Sequence, residues 1–214
     1  MMAGTLVFYT NPMSRGQIVR WMLEEIGAPY ETRVLDYGGS MKSPDYLAIN
    51  PMGKVPAITH GEAVVTEAAA ICAYLAEAFP DAGLAPPPGS PARAPYYRWL
   101  FFAAGCLEPA IADTSAGFVP TAEQTRRFGY GSLDQTLDAL ESALQGLSGD
   151  QHLAGSRFSA ADLYVGSQLD FGLQFGGVEK RPVFEAYVGR LRERPAYQRA
   201  KAVDHQLIAE MQKS

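Results

Sequence analysis

Only two cysteines occur in the 214 residues, Cys72 and Cys106, and both stand in helical patterns rather than in CxxC spacing. That argues against a disulfide framework or a thiolate metal site, and favours two buried thiols in a reducing compartment. Histidine is nearly as scarce. His60, His152 and His205 are scattered, so the sequence offers no metal site and no histidine-based nucleophile, and it has no phosphate-binding loop. No apolar run approaches the roughly 18 residues a membrane span requires. The start, Met1-Met2-Ala3-Gly4-Thr5, has no basic region ahead of a long apolar one, so no secretory signal is expected. Basic charge is also short: 18 Lys and Arg against 23 Asp and Glu leave a net charge of −5, which argues against nucleic acid as the main partner. A cytoplasmic protein that engages no membrane is the expectation.

What remains is an ordinary globular composition, 47% hydrophobic and 19% charged, enough for one large or two modest domains. Thr5–Thr10 reads as a strand and Asn11-Pro12-Met13 as a turn. From Ser14 to Ile26 the apolar residues Ile18, Val19, Met22 and Ile26 keep helical spacing, and Gly27 ends the helix. Tyr30–Leu35 reads as a second strand, followed by a bend at Gly38-Gly39. Ser43-Pro44 caps a short helix through Ile49. Val55–Thr59 and Ala63–Thr66 read as a hairpin, and Ala68–Phe79 as a helix. The order β-α-β-α-β-β-α is that of a thioredoxin-like domain, residues 1–80. The proline-rich run at residues 81–91 fits neither helix nor strand and marks a linker. Residues 92–214 read as an all-helical domain with helices at Ala94–Ala116, Ala122–Leu147, Ala160–Leu173, Pro182–Arg194 and Ala196–Gln212. The fold class is therefore α/β plus all-α.

The stretch with the most chemistry is Asn50-Pro51-Met52-Gly53-Lys54-Val55-Pro56-Ala57-Ile58. A proline there removes a ladder donor and holds the preceding residue extended. Two readings are open: a trans proline opening an edge strand, or a cis Val55–Pro56 bond that turns the chain and leaves the Val55 backbone unpaired. With Thr66-Glu67 opening an alanine-rich helix, this stretch resembles the glutathione-binding half of a glutathione transferase, and the resemblance runs over nearly the whole chain. It implies a cis proline whose preceding residue, Val55, pairs with the cysteinyl backbone of glutathione by strand addition.

Glutathione chemistry needs the thiolate, because the thiol is a poor nucleophile. Lowering a thiol pKa near 8.5 by about two units makes the thiolate the majority near pH 7. A hydroxyl donor at a helix N-terminus suits that task. Ser14 enters the first helix and matches the catalytic serine of the theta-like classes. Tyr9 is in register with the catalytic tyrosine of the alpha, mu, pi and sigma classes. Both remain open, and a role as a helix cap or a packed ring would account for either. The beta-class cysteine is missing, which argues against disulfide chemistry as the main activity but leaves peroxidase activity possible.

The resemblance assigns Glu67 to the γ-glutamyl ammonium, and the Ala68 N–H at the same helix terminus to its carboxylate. Lys54 and Lys42 are alternatives for the glycyl carboxylate, with Arg15 a weaker one. Ala68 departs from the family, which usually has serine there. The missing hydroxyl would weaken glutathione by about 1.5–3 kcal/mol unless another donor compensates. An apolar electrophile is expected near Met13, Phe101, Phe102, Cys106 and Phe171, with Tyr97 and Phe175 close by, although aromatic stripes are more often core. The family usually forms homodimers. The alternatives are a glutathione-dependent isomerase, whose Ser-Ser-Cys run is absent, and a non-catalytic binding module. Lastly, Phe158-Ser159-Ala160-Ala161-Asp162-Leu163 is a capping box with a hydrophobic staple, read as purely structural.

Overall fold

The computed structural model describes residues 4–149 and 151–213. Strand β1 (Leu6–Thr10) buries Leu6, Phe8 and Thr10 on one face and half-buries Val7 and Tyr9 on the other, the period-two pattern of a strand covered on both sides. β2 (Glu31–Val34) lies parallel to β1, and β3 (Ala57–His60) antiparallel on its other flank. β4 (Ala63–Thr66) completes the order β2-β1-β3-β4. β3 begins at Ala57 rather than Val55, since Pro56 has no N–H to give the ladder.

The helices of this unit are α1 (Gly16–Ile26), α2 (Pro44–Leu47) and α3 (Ala68–Ala78). α1 buries Ile18, Val19, Met22 and Leu23 and ends on Gly27, which takes φ 65° and donates its N–H to the Leu23 carbonyl. It starts two residues later than Ser14, because the Asn11–Ser14 turn supplies the first hydrogen bonds. Strands and helices alternate as in a thioredoxin-like fold.

Contacts divide the chain into a unit reaching to Leu84 that also takes in the chain from Glu193 onward, and a second unit spanning Ala85–Arg192. The last helix, read from the sequence as part of the helical domain, thus groups with the sheet. Its reason is electrostatic. Arg20, on α1, is fully buried; its Nε reaches the Asp204 carboxylate at 3.0 Å, and its Nη1 donates to Tyr30 at 3.1 Å and Thr32 at 3.0 Å. The guanidinium also lies 5.1 Å from the Phe8 ring centre. Asp204 belongs to the terminal helix (Pro195–Met211), which Arg194 fastens to Glu25 with bonds of 2.6 and 2.8 Å. A buried charge needs such a partner. Inside the proline-rich stretch, Pro80–Ala82 forms a 3-10 turn and Leu84 is buried, so its first residues are part of the sheet unit.

The second unit is helical among its described residues. α4 (Arg93–Phe102) and α5 (Glu108–Ser115) are joined by a widened π-turn at Ala103–Leu107, so the single helix expected there carries a bulge. The helix expected from Ala122 instead begins at Leu133 (α6, Leu133–Gln145). Gly131 takes φ 67°, and Ser132 and Gln135 form a capping box that starts the helix afresh. α7 (Ala160–Phe175) and α8 (Pro182–Arg192) follow, which makes the terminal helix α9. No described helix is long and apolar enough to cross a membrane.

The Ser159–Asp162 capping box opens α7. The fully buried Asp162 carboxylate accepts the Ser159 N–H at 3.0 Å, the Ser159 hydroxyl at 2.7 Å, the Leu153 N–H at 2.8 Å and the Tyr187 hydroxyl at 2.8 Å. Burial alone would raise its pKa, but the His152 imidazole, the Leu153 N–H and Ser159 outweigh burial and hold it below the ordinary 3.8. A depressed carboxyl gives stability that is complete above the unfolded-state pKa and lost as pH falls through the folded one. Urea unfolding at pH 7 should therefore show Ser159→Ala less stable by about 1 kcal/mol. Asp162→Asn should lose about 3 kcal/mol through its mispaired donors. The gap between Asp162→Asn and wild type should shrink only below about pH 4.

Candidate active site

Strand register decides which loops meet. Tyr9 faces Ala57 across the β1–β3 ladder, Ala57 faces Thr66 across β3–β4, and Thr10 faces Val34 across β1–β2. The end of β1, the start of β3, the end of β4 and the end of β2 therefore lie at one end of the sheet. Ser14 follows the first, Val55-Pro56 precedes the second, and Glu67-Ala68 follows the third. Three loops far apart in sequence thus supply neighbouring groups.

Ser14 is held by a tight turn. Its hydroxyl donates to the Asn11 carbonyl at 2.6 Å and accepts the Gly16 N–H at 2.9 Å, so it caps the first turn of α1. A Cβ at position 16 would collide with the Thr10 hydroxyl, which is why glycine stands there. Asn11, which sequence reasoning passed over, is buried. Its side chain donates to the Leu35 carbonyl at 2.9 Å and accepts the Met13 N–H at 3.0 Å, tying the turn to the end of β2. Tyr37 adds a bond of 3.1 Å to the Met13 carbonyl. Tyr9 lies on the other face of β1, in a cluster with Met41, Tyr46 and Ala57, its ring centre 5.7 Å from that of Tyr46.

The Val55–Pro56 peptide is cis. The ladder begins after it, so the Val55 backbone stands outside the sheet pairing. Lys42 sends its ammonium to the Gly53 carbonyl at 2.7 Å and is thereby committed to the loop ahead of Pro56. Lys54 is exposed, and no acceptor among the described residues takes its ammonium. Glu67 is exposed and takes φ 67° and ψ 120°, a conformation that costs a side-chain-bearing residue of order 1–3 kcal/mol. Its side chain does not cap α3, whose first residue Ala68 is buried.

Of the residues assigned to the electrophile, Met13 lies in the sheet unit beside Ser14 and is 57% exposed. In the helical unit, Phe101 and Phe171 are 67% and 56% exposed and so do not belong to its core. Phe102 packs edge-on against Trp99, and Phe171 lies 4.6 Å from Phe175 between ring centres. Tyr97 accepts a bond from Arg93 at 2.7 Å. Cys106 sits in the π-turn, half-buried rather than buried, and Cys72 is fully buried in α3; burial raises both thiols. Among the described residues, no three His, Cys, Asp or Glu side chains group to hold a metal.

Residues 13–78 match the glutathione S-transferase N-terminal domain. Glutathione S-transferase A of Pleuronectes platessa is 32% identical over 174 residues, covering 78% of this chain and 77% of that one. Glutathione S-transferase GstA of Escherichia coli O157:H7 is 31% identical over 171 residues, covering 75% and 78%. A sphingomonad glutathione S-transferase solved with glutathione superposes with a TM-score of 0.74 at 29% identity, covering 93% of this chain and 98% of that one. The sequence kinship, the sheet order and the cis proline together assign the chain: it belongs to the glutathione S-transferase family of enzymes.

Proposed function

We propose that the chain transfers the thiolate of glutathione to small apolar electrophiles, with Ser14 as the hydroxyl that stabilises the sulfur. The observation that carries this reading is the convergence of Ser14, the open Val55 edge and Glu67-Ala68 at one end of the sheet. Each matches one part of the tripeptide. Val55 is free to pair with the cysteinyl backbone. Glu67 offers its carboxylate to the γ-glutamyl ammonium, and the α3 terminus offers the Ala68 N–H to the γ-glutamyl carboxylate. Lys54, whose ammonium is uncommitted, is the better holder of the glycyl carboxylate; Lys42 already serves the Gly53 carbonyl.

Ser14 suits thiolate stabilisation better than Tyr9 does. Its oxygen already accepts an N–H from the start of α1, which polarises the hydroxyl as a donor. In the free protein the proton is given to a neutral carbonyl. An anionic sulfur is the stronger acceptor and draws the hydroxyl round toward itself. Tyr9 is packed against Tyr46 instead. The protein then contributes positioning and electrostatic stabilisation without a covalent intermediate on its own residues. Apolar surface at Met13 beside the sulfur favours an apolar electrophile. A cytoplasmic homodimer, the usual form in this family, completes the reading. A second reading, a binding module without catalysis, is favoured by Ala68 alone.

Calorimetric titration of glutathione with ultraviolet detection of the bound thiolate tests this reading. Ser14→Ala should raise the apparent thiol pKa by about two units and largely keep affinity, while Tyr9→Phe should leave that pKa unchanged. The reverse result would make Tyr9 the activating residue. Absence of wild-type binding at millimolar glutathione would favour the binding module. Glu67→Gly should separate fold from function: thermal unfolding should gain about 1 kcal/mol as the backbone is relieved, and glutathione affinity should fall for want of the carboxylate.

A further inference from the structure

The loop that leads into the cis proline is held by an arrangement that its stability alone does not call for. Tyr46, on α2, and Asn50, just after it, are both 3% exposed, and both donate to one acceptor, the carbonyl of Lys54. The Tyr46 hydroxyl lies 2.5 Å from that oxygen and the Asn50 side-chain nitrogen 2.8 Å from it. Other groups of the loop are engaged as well. The Asn50 side-chain oxygen accepts the Met52 N–H at 3.1 Å, the Asn50 carbonyl accepts the Gly53 N–H at 2.8 Å, and the Gly53 carbonyl accepts Lys42. Two backbone N–H groups of the loop, those of Lys54 and Val55, meet no acceptor among the described residues, and that of Val55 is the one next to the cis bond.

The Lys54 carbonyl and the Val55 N–H are two ends of one peptide group. That peptide is trans, the cis bond being the next one along, so its C=O and N–H point in opposite directions. Two buried donors that draw the oxygen inward therefore turn the N–H outward. A single donor would satisfy the carbonyl. The second fixes the rotation of the peptide plane, and the pair of bonds polarises the N–H at the far end. Burial pushes the Tyr46 hydroxyl up to about 12, so it remains a donor throughout the range in which thiols ionise.

We propose that Tyr46 and Asn50 are positioning residues: their clamp on the Lys54 carbonyl aims the Val55 N–H at the cysteinyl carbonyl of the thiol substrate. This rests on the reading of the site as the seat of glutathione. The clamp acts on recognition of the peptide backbone and leaves the sulfur to Ser14, so its loss weakens binding without moving the thiol pKa.

The test is calorimetry with two ligands, glutathione and an analogue whose Cys–Gly amide is replaced by a trans alkene and so lacks the cysteinyl carbonyl. Tyr46→Phe removes only the hydroxyl. Asn50→Asp keeps the acceptor for Met52 and removes the donor, and it supplies the result should Tyr46→Phe fail to fold. Each variant should raise the dissociation constant of glutathione about fivefold and change that of the analogue less than about twofold, as the analogue has no carbonyl to lose contact with. Equal losses for both ligands, or no loss for glutathione, would overturn the clamp while wild-type binding leaves the glutathione reading intact. Wild type binding neither ligand would overturn both.

Discussion

The antiparallel pairing of Tyr9 with Ala57 is the constraint on which the sheet unit depends. A shift of one residue would turn Ala57 and Ile58 to opposite faces and carry the Val55 edge away from the turn that holds Ser14. Register is in turn held by what each face buries: Phe8 over the guanidinium of Arg20 on one side, and the cluster of Tyr9, Met41, Tyr46 and Ala57 on the other. Packing and site geometry are therefore one problem. The residues that fill the cluster are also those that orient the loop ahead of the cis proline, and the functional groups sit where the ladder stops.

The two units solve the burial of charge in different ways. In the helical unit Asp162 is surrounded by donors, so that its carboxylate is fully used and its pKa depressed. In the sheet unit Arg20 and Asp204 each keep one buried polar atom without a partner, and burial raises the Asp204 carboxyl despite the arginine beside it. The first is a local hub closed within one stretch of chain apart from Tyr187. The second joins residues 184 positions apart and is the less completely satisfied of the two.

That contrast also explains what could be read from the sequence. The Ser159–Asp162 box, the turn at Asn11-Pro12-Met13 and the motif around Pro56 were legible because their chemistry is local: a cap, a breaker or a missing donor acts within a few residues. The roles of Val55 and Glu67 came instead from the resemblance to the family, and that of Ser14 from the resemblance together with its place at a helix start. The break before Leu133 was readable in principle, since Gly131 and Ser132 stand in the sequence as a stop and a start, but the apolar periodicity on either side concealed it. Tyr46 gave no signal at all. An aromatic in a short helix reads as core, and only the folded loop places its hydroxyl on the Lys54 carbonyl. Arg20 gave no signal either, because its partner lies far along the chain.

The pairing of α1 with α9 bears on how the protein is made. Everything needed for the sheet and its three helices has left the ribosome once residue 84 emerges, yet Arg20 then has no carboxylate and one flank of α1 is uncovered. The sheet unit must wait in that unfinished state while Ala85–Arg192 is synthesised, and it closes only when the last helix is delivered. Its order of completion is thus the reverse of its order in the gene: the half that is translated first is the half that finishes last.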